Sequence, residues 1–282
     1  MSIDITVAVC LKWVDRRVDA DALLRAAVPD ERFAGVSAAD QAALEWALRY
    51  RDDVGVPVRV LAVTVGPAAA ETVLRDALAA GADRAIRIDM PFGAPSRFVA
   101  GALATVVAGA RFIWCGDASF DRGTGSVPAY LAADLGIAQA LGLVAIELPA
   151  AGHENVERVR ALRRLDGGRR ERVSIEGPAV ISVEGSTAML RRAPLRGLLR
   201  PPPVEVVSPA TPQLPVQVHE ARPFRPRART FAPPSGATAL ERIKSLTSAG
   251  SAPNTHGDSV TLDPPAAAER ILAALAEWGY LP

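Results

Sequence analysis

The chain has 282 residues, of which 49% are hydrophobic and 22% charged, and its formal net charge is +1. This length suits one large domain or one domain plus an extension, and the near-neutral charge argues against nucleic-acid binding. Cys10 and Cys115 lie within apolar strand patterns and are predicted to be buried thiols in a reducing compartment. Because the sequence has no Cys/His cluster, it predicts no metal site. It shows no signal peptide and no long apolar run, which predicts a cytoplasmic protein without membrane insertion.

The first half of the chain alternates between strand and helix patterns. Apolar runs rich in β-branched residues predict buried strands at residues 3–11, 58–65, 84–88 and 112–115. Helices are predicted at residues 41–51, 69–80, 97–109 and 127–135, with Ser37 as an N-cap and Gly81 after the second helix. Residues 12–33 are predicted to be a loop. The alternation predicts a parallel sheet with helices on both faces and a binding cleft where its strands end, after Val9, Val65 and Cys115.

The pattern then changes to strands without helices between them. Strands are predicted at residues 143–148, 156–165, 170–175 and 179–184, and Asp166-Gly167-Gly168 predicts a hairpin turn. Residues 208–258 are rich in Pro, Ser, Thr and Arg and cannot form a core of their own, apart from a short helical patch at residues 237–246. A last helix, residues 265–278, carries an apolar stripe of Ile271, Leu272, Leu275 and Trp278. The predicted fold class is therefore α/β, a mostly parallel doubly wound sheet with added antiparallel strands and a long C-terminal arm. The predicted domains are residues 1–207 and an arm, 208–282, that docks on the core or on a partner subunit.

The loop after the fourth strand is the first candidate for a binding site. It runs through Gly116 to Gly123-Thr124-Gly125 and opens a helix, where free N–H groups and the helix dipole favour a phosphate. It matches neither the P-loop nor the dinucleotide fingerprint, so an ordinary strand-to-helix turn remains open. Asp117 and Asp121 are either an acid/base pair or turn-forming aspartates that bond the backbone or a ribose, and the second interpretation is favoured.

No catalytic residue is predicted. The histidines, His153, His219 and His256, fall in turn or arm segments and are predicted to be solvated surface residues. No side chain of the chain is itself redox-active, so any electron chemistry must come from a bound cofactor.

The ordered segments of residues 3–207 together resemble the β subunit of electron transfer flavoprotein. The Ala-Asp-Arg run and the Asp-Gly-Gly turn are each moderately specific, and their order and spacing together are strongly so. The segments that carry the resemblance are Val7-Ala8-Val9 with Lys12 and Asp15, the helix 42–49 with Glu45, Val63-Thr64-Val65-Gly66-Pro67, Glu71 to Arg75 leading to Ala77-Leu78-Ala79-Ala80-Gly81-Ala82-Asp83-Arg84, Gly116 with Gly123-Thr124-Gly125, Asp166-Gly167-Gly168, and Pro178-Ala179-Val180-Ile181.

The resemblance implies a fold of the adenine-nucleotide-binding type, two cofactors and a set of partners. FAD is held mainly by an α subunit, and the heterodimer carries electrons from dehydrogenases to a quinone-linked oxidoreductase. The β subunit buries a structural AMP, whose phosphate Thr124 and the loop amides would take. Leu195 falls where the family has a leucine that anchors partner dehydrogenases, although a buried packing role remains open. The residues implied to contact AMP are Ala8, Ser37, Ala38, Ala39, Asp40, Val65, Gly116, Asp117, Ala118, Ser119, Phe120, Asp121, Arg122, Gly123 and Thr124.

The chain departs from the family pattern at three places. Ser37-Ala38-Ala39 stands where the family has Asn-Pro-Phe, the 116–124 loop is shorter with Arg122-Gly123 before Thr124, and Arg164-Leu165 replaces Glu-Ile. These departures suggest a divergent branch, of the mycofactocin-associated actinobacterial kind, that serves a different dehydrogenase.

Two other classes of protein are weighed against this resemblance. A stress-protein-like module that binds ATP or AMP and acts as a regulator has no need of residues 185–282. An adenylate-transferring enzyme would need a glycine motif where Leu11-Lys12-Trp13 stands.

Overall fold

The computed structural model describes residues 5–16, 31–149, 156–199, 201–209, 236–248 and 260–280. Among these residues, nine strands form one sheet in the order β11-β5-β4-β1-β6-β10-β7-β8-β9, and β2 and β3 form a two-stranded ribbon. The strands are β1 (Ile5–Leu11), β2 (Val14–Asp15), β3 (Ala34–Gly35), β4 (Val58–Gly66), β5 (Arg84–Asp89), β6 (Phe112–Gly116), β7 (Ala138–Glu147), β8 (Arg158–Arg164), β9 (Arg170–Glu176), β10 (Ala179–Val183) and β11 (Glu205–Val207).

The sheet is parallel from β11 through β7, and β8 and β9 continue it in antiparallel pairing. This arrangement confirms the predicted α/β class, with its mostly parallel sheet and added antiparallel strands. The helices are α1 (Ala38–Asp53), α2 (Glu71–Ala80), α3 (Ser96–Val107), α4 (Ser126–Leu135), α5 (Leu195–Leu199), α6 (Ala239–Ser248) and α7 (Pro264–Glu277).

Alternate residues of each central strand face opposite helical layers, as the two-residue period of a strand requires. In β1, Val7 and Val9 belong to the apolar cluster that contains the buried faces of α1 and α2. Ala8 and Cys10 belong to the second cluster, together with buried residues of α3 and α4. Both faces of the strand are therefore buried away from solvent, and this explains why the parallel strands are continuous apolar runs in the sequence.

The predicted residues at two helix ends, Ser37 and Gly81, are confirmed. Ser37 caps α1 by accepting the Asp40 N–H at 3.3 Å, so the helix begins three residues before the predicted start. Gly81 follows α2 with φ of +122°, a conformation that favours glycine.

Three strand predictions need correction. β7 begins at Ala138 and not at residue 143, because its first half pairs in parallel with β10 before its second half turns to β8. β2 lies within the segment predicted to be a loop, and β11 lies where no strand was expected. β11 has little pattern of its own and forms against β5, a strand of the main sheet, whereas β2 pairs with the equally short β3.

The described residues divide into two units, within Met1–Pro223 and within Phe224–Pro282. In the second unit, Asp263 caps α7 by accepting the Ala266 N–H at 2.9 Å. The stripe residues Ile271, Leu272 and Trp278 are exposed there. The predicted boundary at residue 208 and the docking of the arm stay predictions, and most of residues 208–258, like the three histidines, lies outside the described residues.

Candidate functional site

A cleft opens at the edge of the sheet where β1, β4, β5 and β6 end. The cleft and its open mouth together contain about 930 Å³ of empty space. Much of the polar part of its wall comes from the loop that follows β6, with Lys12, Asp40 and Ser96 adding to it. Its apolar part includes Val65, Val99 and Leu103, together with Trp13 and Phe92, whose rings meet edge to face at 5.8 Å.

Asp40 joins two strand ends beneath this cleft. Its Oδ2 accepts the Lys12 N–H at 2.9 Å, just after β1, and its Oδ1 accepts the Gly116 N–H at 3.2 Å, at the end of β6. Burial raises the pKa of Asp40 to about 7, although both backbone hydrogen bonds act in the opposite direction. Gly116 is required here because a Cβ would lie 2.5 Å from Asp40 Oδ1.

One side of the loop after β6 is tied to the end of β1. Lys12 Nζ lies 2.6 Å from Asp121 Oδ1 and 3.2 Å from Ser119 Oγ. Asp121 Oδ1 also accepts the Ser119 hydroxyl at 2.6 Å and the Arg122 N–H at 2.7 Å. Burial would raise the pKa of Asp121, but the hydrogen bonds from Lys12 and Ser119 and the Lys12 charge hold it below its usual value. These contacts favour the turn-forming interpretation of Asp121.

The opposite side of the same loop is tied to the segment after β5. Arg122 Nη1 donates to the Ala94 carbonyl at 3.1 Å, and Nη2 donates to the Gly93 carbonyl. Two consecutive residues, Asp121 and Arg122, therefore hold the loop to two different walls of the cleft.

Asp117 lies on the same loop, but the charged residue near its carboxyl group is Glu184 and not a cation. Its N–H donates to the Val183 carbonyl at 3.0 Å. Burial and the neighbouring charge of Glu184 raise the pKa of its carboxyl group.

The loop ends at the amino terminus of α4, which suits an anion. Gly125 precedes the helix with φ of +56°, no side chain caps the helix, and its first turn has no acidic residue. Thr124 Oγ1 and Ser126 Oγ lie 3.0 Å apart at this point and line the cleft. Backbone N–H groups and two hydroxyl groups are thus available to a phosphate.

Comparison with known proteins identifies the family. The family model named electron transfer flavoprotein domain matches residues 29–212.

The chain belongs to the electron transfer flavoprotein family.

Among its relatives, electron transfer flavoprotein subunit beta of Methylophilus methylotrophus is 30% identical over 175 residues, covering 60% of this chain and 65% of the relative. Protein FixA of Bradyrhizobium diazoefficiens is 32% identical over 177 residues, which cover 60% of this chain and 59% of the relative. Electron transfer flavoprotein subunit beta of Syntrophomonas wolfei is 29% identical over 185 residues, which cover 64% of this chain and 70% of the relative. The chain spans about three fifths of the length of the first two. These matches confirm the resemblance found in the sequence.

Nine of the residues that the electron transfer flavoprotein resemblance implies line the cleft. They are Asp40, Val65, Gly116, Asp117, Ala118, Ser119, Asp121, Arg122 and Thr124. Six others do not line it: Ala8, Ser37, Ala38, Ala39, Phe120 and Gly123.

Ala8 is fully buried, three residues before the end of β1 at Leu11, and Cys10 takes its place in the cleft wall. Both residues face the same side of the strand, but a strand advances about 3.3 Å per residue, so only the later one reaches the edge. Ser37 acts from beneath, where its hydroxyl donates to the Ala118 carbonyl at 3.4 Å. Ala38 and Phe120 are exposed.

Sequence reasoning missed the wall formed by Lys12, Trp13 and residues 91–94. The signal was available for Lys12, which directly follows the first apolar run. For residues 91–94 it lay in the position of Pro91-Phe92-Gly93 after the third predicted strand, where another carboxyl end meets the same edge.

Cys10 and Cys115 are neighbours on β1 and β6, and both are buried free thiols, as predicted. The hydrogen bond with Cys10 and burial raise the pKa of Cys115 well above its usual value. Among the described residues no group of three or more potential ligands could hold a metal ion. No helix in the described ranges is long and apolar enough to cross a membrane.

The segment around Leu195 lies on the outside of the first unit. The Leu195 side chain is 70% exposed, so the buried packing interpretation is wrong for this residue. Leu198 and Leu199 are exposed as well, while Gly197 approaches α2 so closely that a Cβ would lie 2.5 Å from the Ala79 carbonyl oxygen. The short helix α5 therefore presents its leucines outward.

Arg191 fastens this segment to α1. Its backbone N–H and Nε donate to Oε2 of the buried Glu45 at 3.1 and 3.0 Å, and its Nη1 donates to Asp52 at 2.7 Å. Burial opposes ionisation of Glu45, but hydrogen bonds from Arg191 and Arg49 outweigh it and lower the pKa of the carboxyl group. Trp46 adds a further contact from α1, since its Nε1 donates to Thr187 Oγ1 at 3.1 Å.

Proposed function

We propose that this chain is the β subunit of a heterodimeric electron transfer flavoprotein. It binds AMP as a structural ligand in the cleft and holds FAD together with an α subunit. The observation that carries the proposal is the cleft at the strand ends, covered by the Gly116–Thr124 loop and bordered by the uncapped amino terminus of α4.

The residues of the cleft fit a mononucleotide. Thr124, Ser126 and the first N–H groups of α4 would hold the phosphate, and the apolar wall of Val65, Val99 and Leu103 offers a surface for a base. Cys10, and not Ala8, would provide the contact from β1. Three carboxyl groups also line the cleft, but Lys12 neutralises that of Asp121, and the pKa of Asp40 near 7 leaves this group partly protonated at neutral pH.

Bound FAD would supply the redox step, since the chain's own side chains are not redox-active. The contribution of this subunit is to position the cofactor and to dock partners. The exposed leucines of α5, Leu195 first, would receive a dehydrogenase, and a quinone-linked oxidoreductase would accept the electrons. The arm with α7 would dock on the core or on the α subunit. A cytoplasmic location and a mycofactocin-associated branch remain predictions.

Co-expression with the neighbouring α-like gene product tests this function. The purified complex should show flavin absorption, and extraction should release AMP alongside FAD. The chain expressed alone serves as the control and should be colourless. A colourless complex, or no complex, would contradict the proposal. Binding of ATP by the lone chain without flavin would instead favour the stress-protein-like regulatory module.

A further inference from the structure

The two cations of the cleft wall, Lys12 and Arg122, have different partners. The Lys12 ammonium is neutralised by the carboxylate of Asp121, 2.6 Å away. The Arg122 guanidinium donates to the Gly93 and Ala94 carbonyls, which are neutral. Within the described part of the chain no carboxylate forms an ion pair with Arg122. The cleft therefore holds one cationic side chain whose position is fixed while its charge is not compensated.

Arg122 brings this charge to the wall of the cleft that Thr124 and Ser126 also line. Arg122 lies two residues before Thr124 on the loop that leads into α4. The two carbonyl contacts restrain the guanidinium, so little side-chain entropy remains to be lost when a ligand binds. Carbonyl oxygens also leave the guanidinium its full charge, which a carboxylate partner would have cancelled.

The charge balance of the cleft wall depends on Arg122. Asp117 and the partly ionised Asp40 face the same cleft, and the charge of Lys12 is already paired with Asp121, so without Arg122 the wall would carry a net negative charge. Such a wall repels a phosphate dianion, even though the helix terminus and the hydroxyl groups favour it.

We infer that Arg122 compensates the charge of the ligand's phosphate and makes the cleft selective for a nucleotide over the corresponding nucleoside. This inference rests on the proposed AMP site and assigns a role to a residue at which the chain departs from the family pattern. Arg122 acts on the phosphate, so its removal weakens AMP binding and leaves adenosine binding nearly unchanged.

Calorimetric titration of the full-length, nucleotide-stripped chain with AMP and with adenosine tests the inference. Arg122→Gln keeps an amide donor for the Gly93 and Ala94 carbonyls but removes the positive charge. Arg122→Lys keeps the charge but lacks the planar guanidinium whose two nitrogens donate to both carbonyls. We expect Arg122→Gln to raise the Kd for AMP by about tenfold to a hundredfold and the Kd for adenosine by less than about twofold. The Kd of Arg122→Lys for AMP should lie between the values for Arg122→Gln and for the natural chain. Arg158→Gln, on the distant β8–β9 hairpin, is the matched control and should bind both ligands as the natural chain does.

A second measurement separates charge from loop structure. Added salt should weaken AMP binding to the natural chain more than to Arg122→Gln, because screening acts on the charge that the variant lacks. Equal losses for AMP and adenosine would show that Arg122 merely holds the loop, and unchanged AMP binding would show that another group compensates the phosphate. Either result overturns the inference while the AMP site stands. If the natural chain binds neither ligand, the AMP site itself is refuted and the inference falls with it.

Discussion

Lys12 Nζ and Asp121 Oδ1 lie 2.6 Å apart, and this contact connects the end of β1 to a loop 109 residues further along the chain. Lys12→Met should raise the pKa of Asp121 towards its usual value, because the carboxylate loses a hydrogen bond and a neighbouring charge. The pair is partly exposed, so its coupling in the free energy of unfolding should be about 1 kcal/mol or less. NMR titration and a double-mutant cycle with Asp121→Asn measure the two effects. An unchanged pKa of Asp121 would refute the pairing.

Thr124→Val should lower the AMP content of the purified complex. The substitution removes a hydroxyl group at the amino end of α4 with little change in volume, and the expected loss of affinity is roughly tenfold. Nucleotide extracted per chain provides the measurement. Thr72→Val is the control, since the Thr72 hydroxyl bonds the Ala69 carbonyl beside α2. Full occupancy in Thr124→Val would show that the phosphate is held elsewhere.

Gly116→Ala should destabilise the fold by about 1–3 kcal/mol, because the new methyl group overlaps Asp40. The added Cβ would lie 2.5 Å from Asp40 Oδ1 and 2.9 Å from the Asp40 nitrogen. Urea unfolding gives the change in free energy. The matched control is Gly101→Ala in α3, where the nearest atom would be 3.8 Å away and alanine should stabilise the helix by about 0.5–1 kcal/mol. Equal effects of the two substitutions would contradict the crowding at Gly116.

Asp40 should contribute a decrease in the stability of the protein as the pH rises from about 4 to about 7. Its pKa is about 7 in the folded protein, against a usual value of 3.8 for an exposed aspartate. The folded state therefore binds more protons in this window, and ionisation of Asp40 opposes folding by at most about 1.4 kcal/mol per pH unit.

Asp40→Asn should remove this component of the pH dependence. It should also lower stability throughout, since an amide oxygen cannot fully replace both carboxylate oxygens as acceptors for Lys12 and Gly116. Urea unfolding between pH 4 and 8 checks both effects, with the exposed Asp53→Asn as control. Parallel pH profiles for Asp40→Asn and the natural chain would count against the raised pKa.

Arg191→Ala should loosen the segment that carries the exposed leucines. Glu45 would keep Arg49 and the backbone N–H of residue 191 but lose the Nε and Nη2 donors of Arg191, and Asp52 would lose the Nη1 donor. We therefore expect the free energy of unfolding to fall by about 1–3 kcal/mol. Hydrogen exchange followed by mass spectrometry should show faster exchange in residues 187–199. Arg158→Ala removes an exposed ion pair with Glu176 and should leave this segment unchanged. Unaltered exchange in Arg191→Ala would mean that the segment is held by other contacts.

The sequence by itself determined the layered α/β architecture of this protein. Buried parallel strands are continuous apolar runs, helices repeat at 3.6 residues, and a turn such as Asp166-Gly167-Gly168 depends on its own glycines. All of these are local properties, and so they can be read along the chain. The loop from Gly116 to Thr124 was also accessible, because a strand that runs through glycines into a helix places it at the edge of a parallel sheet.

Only the tertiary structure decided which residues meet across that edge. The insertion of β10 between β6 and β7, the replacement of Ala8 by Cys10 in the cleft wall, and the pairing of Lys12 with Asp121 all depend on strand order and register. The two carbonyl contacts of Arg122 depend on the distance between two loops that are far apart in the chain. No local pattern encodes such distances, because they result from the packing of the whole sheet and its helices.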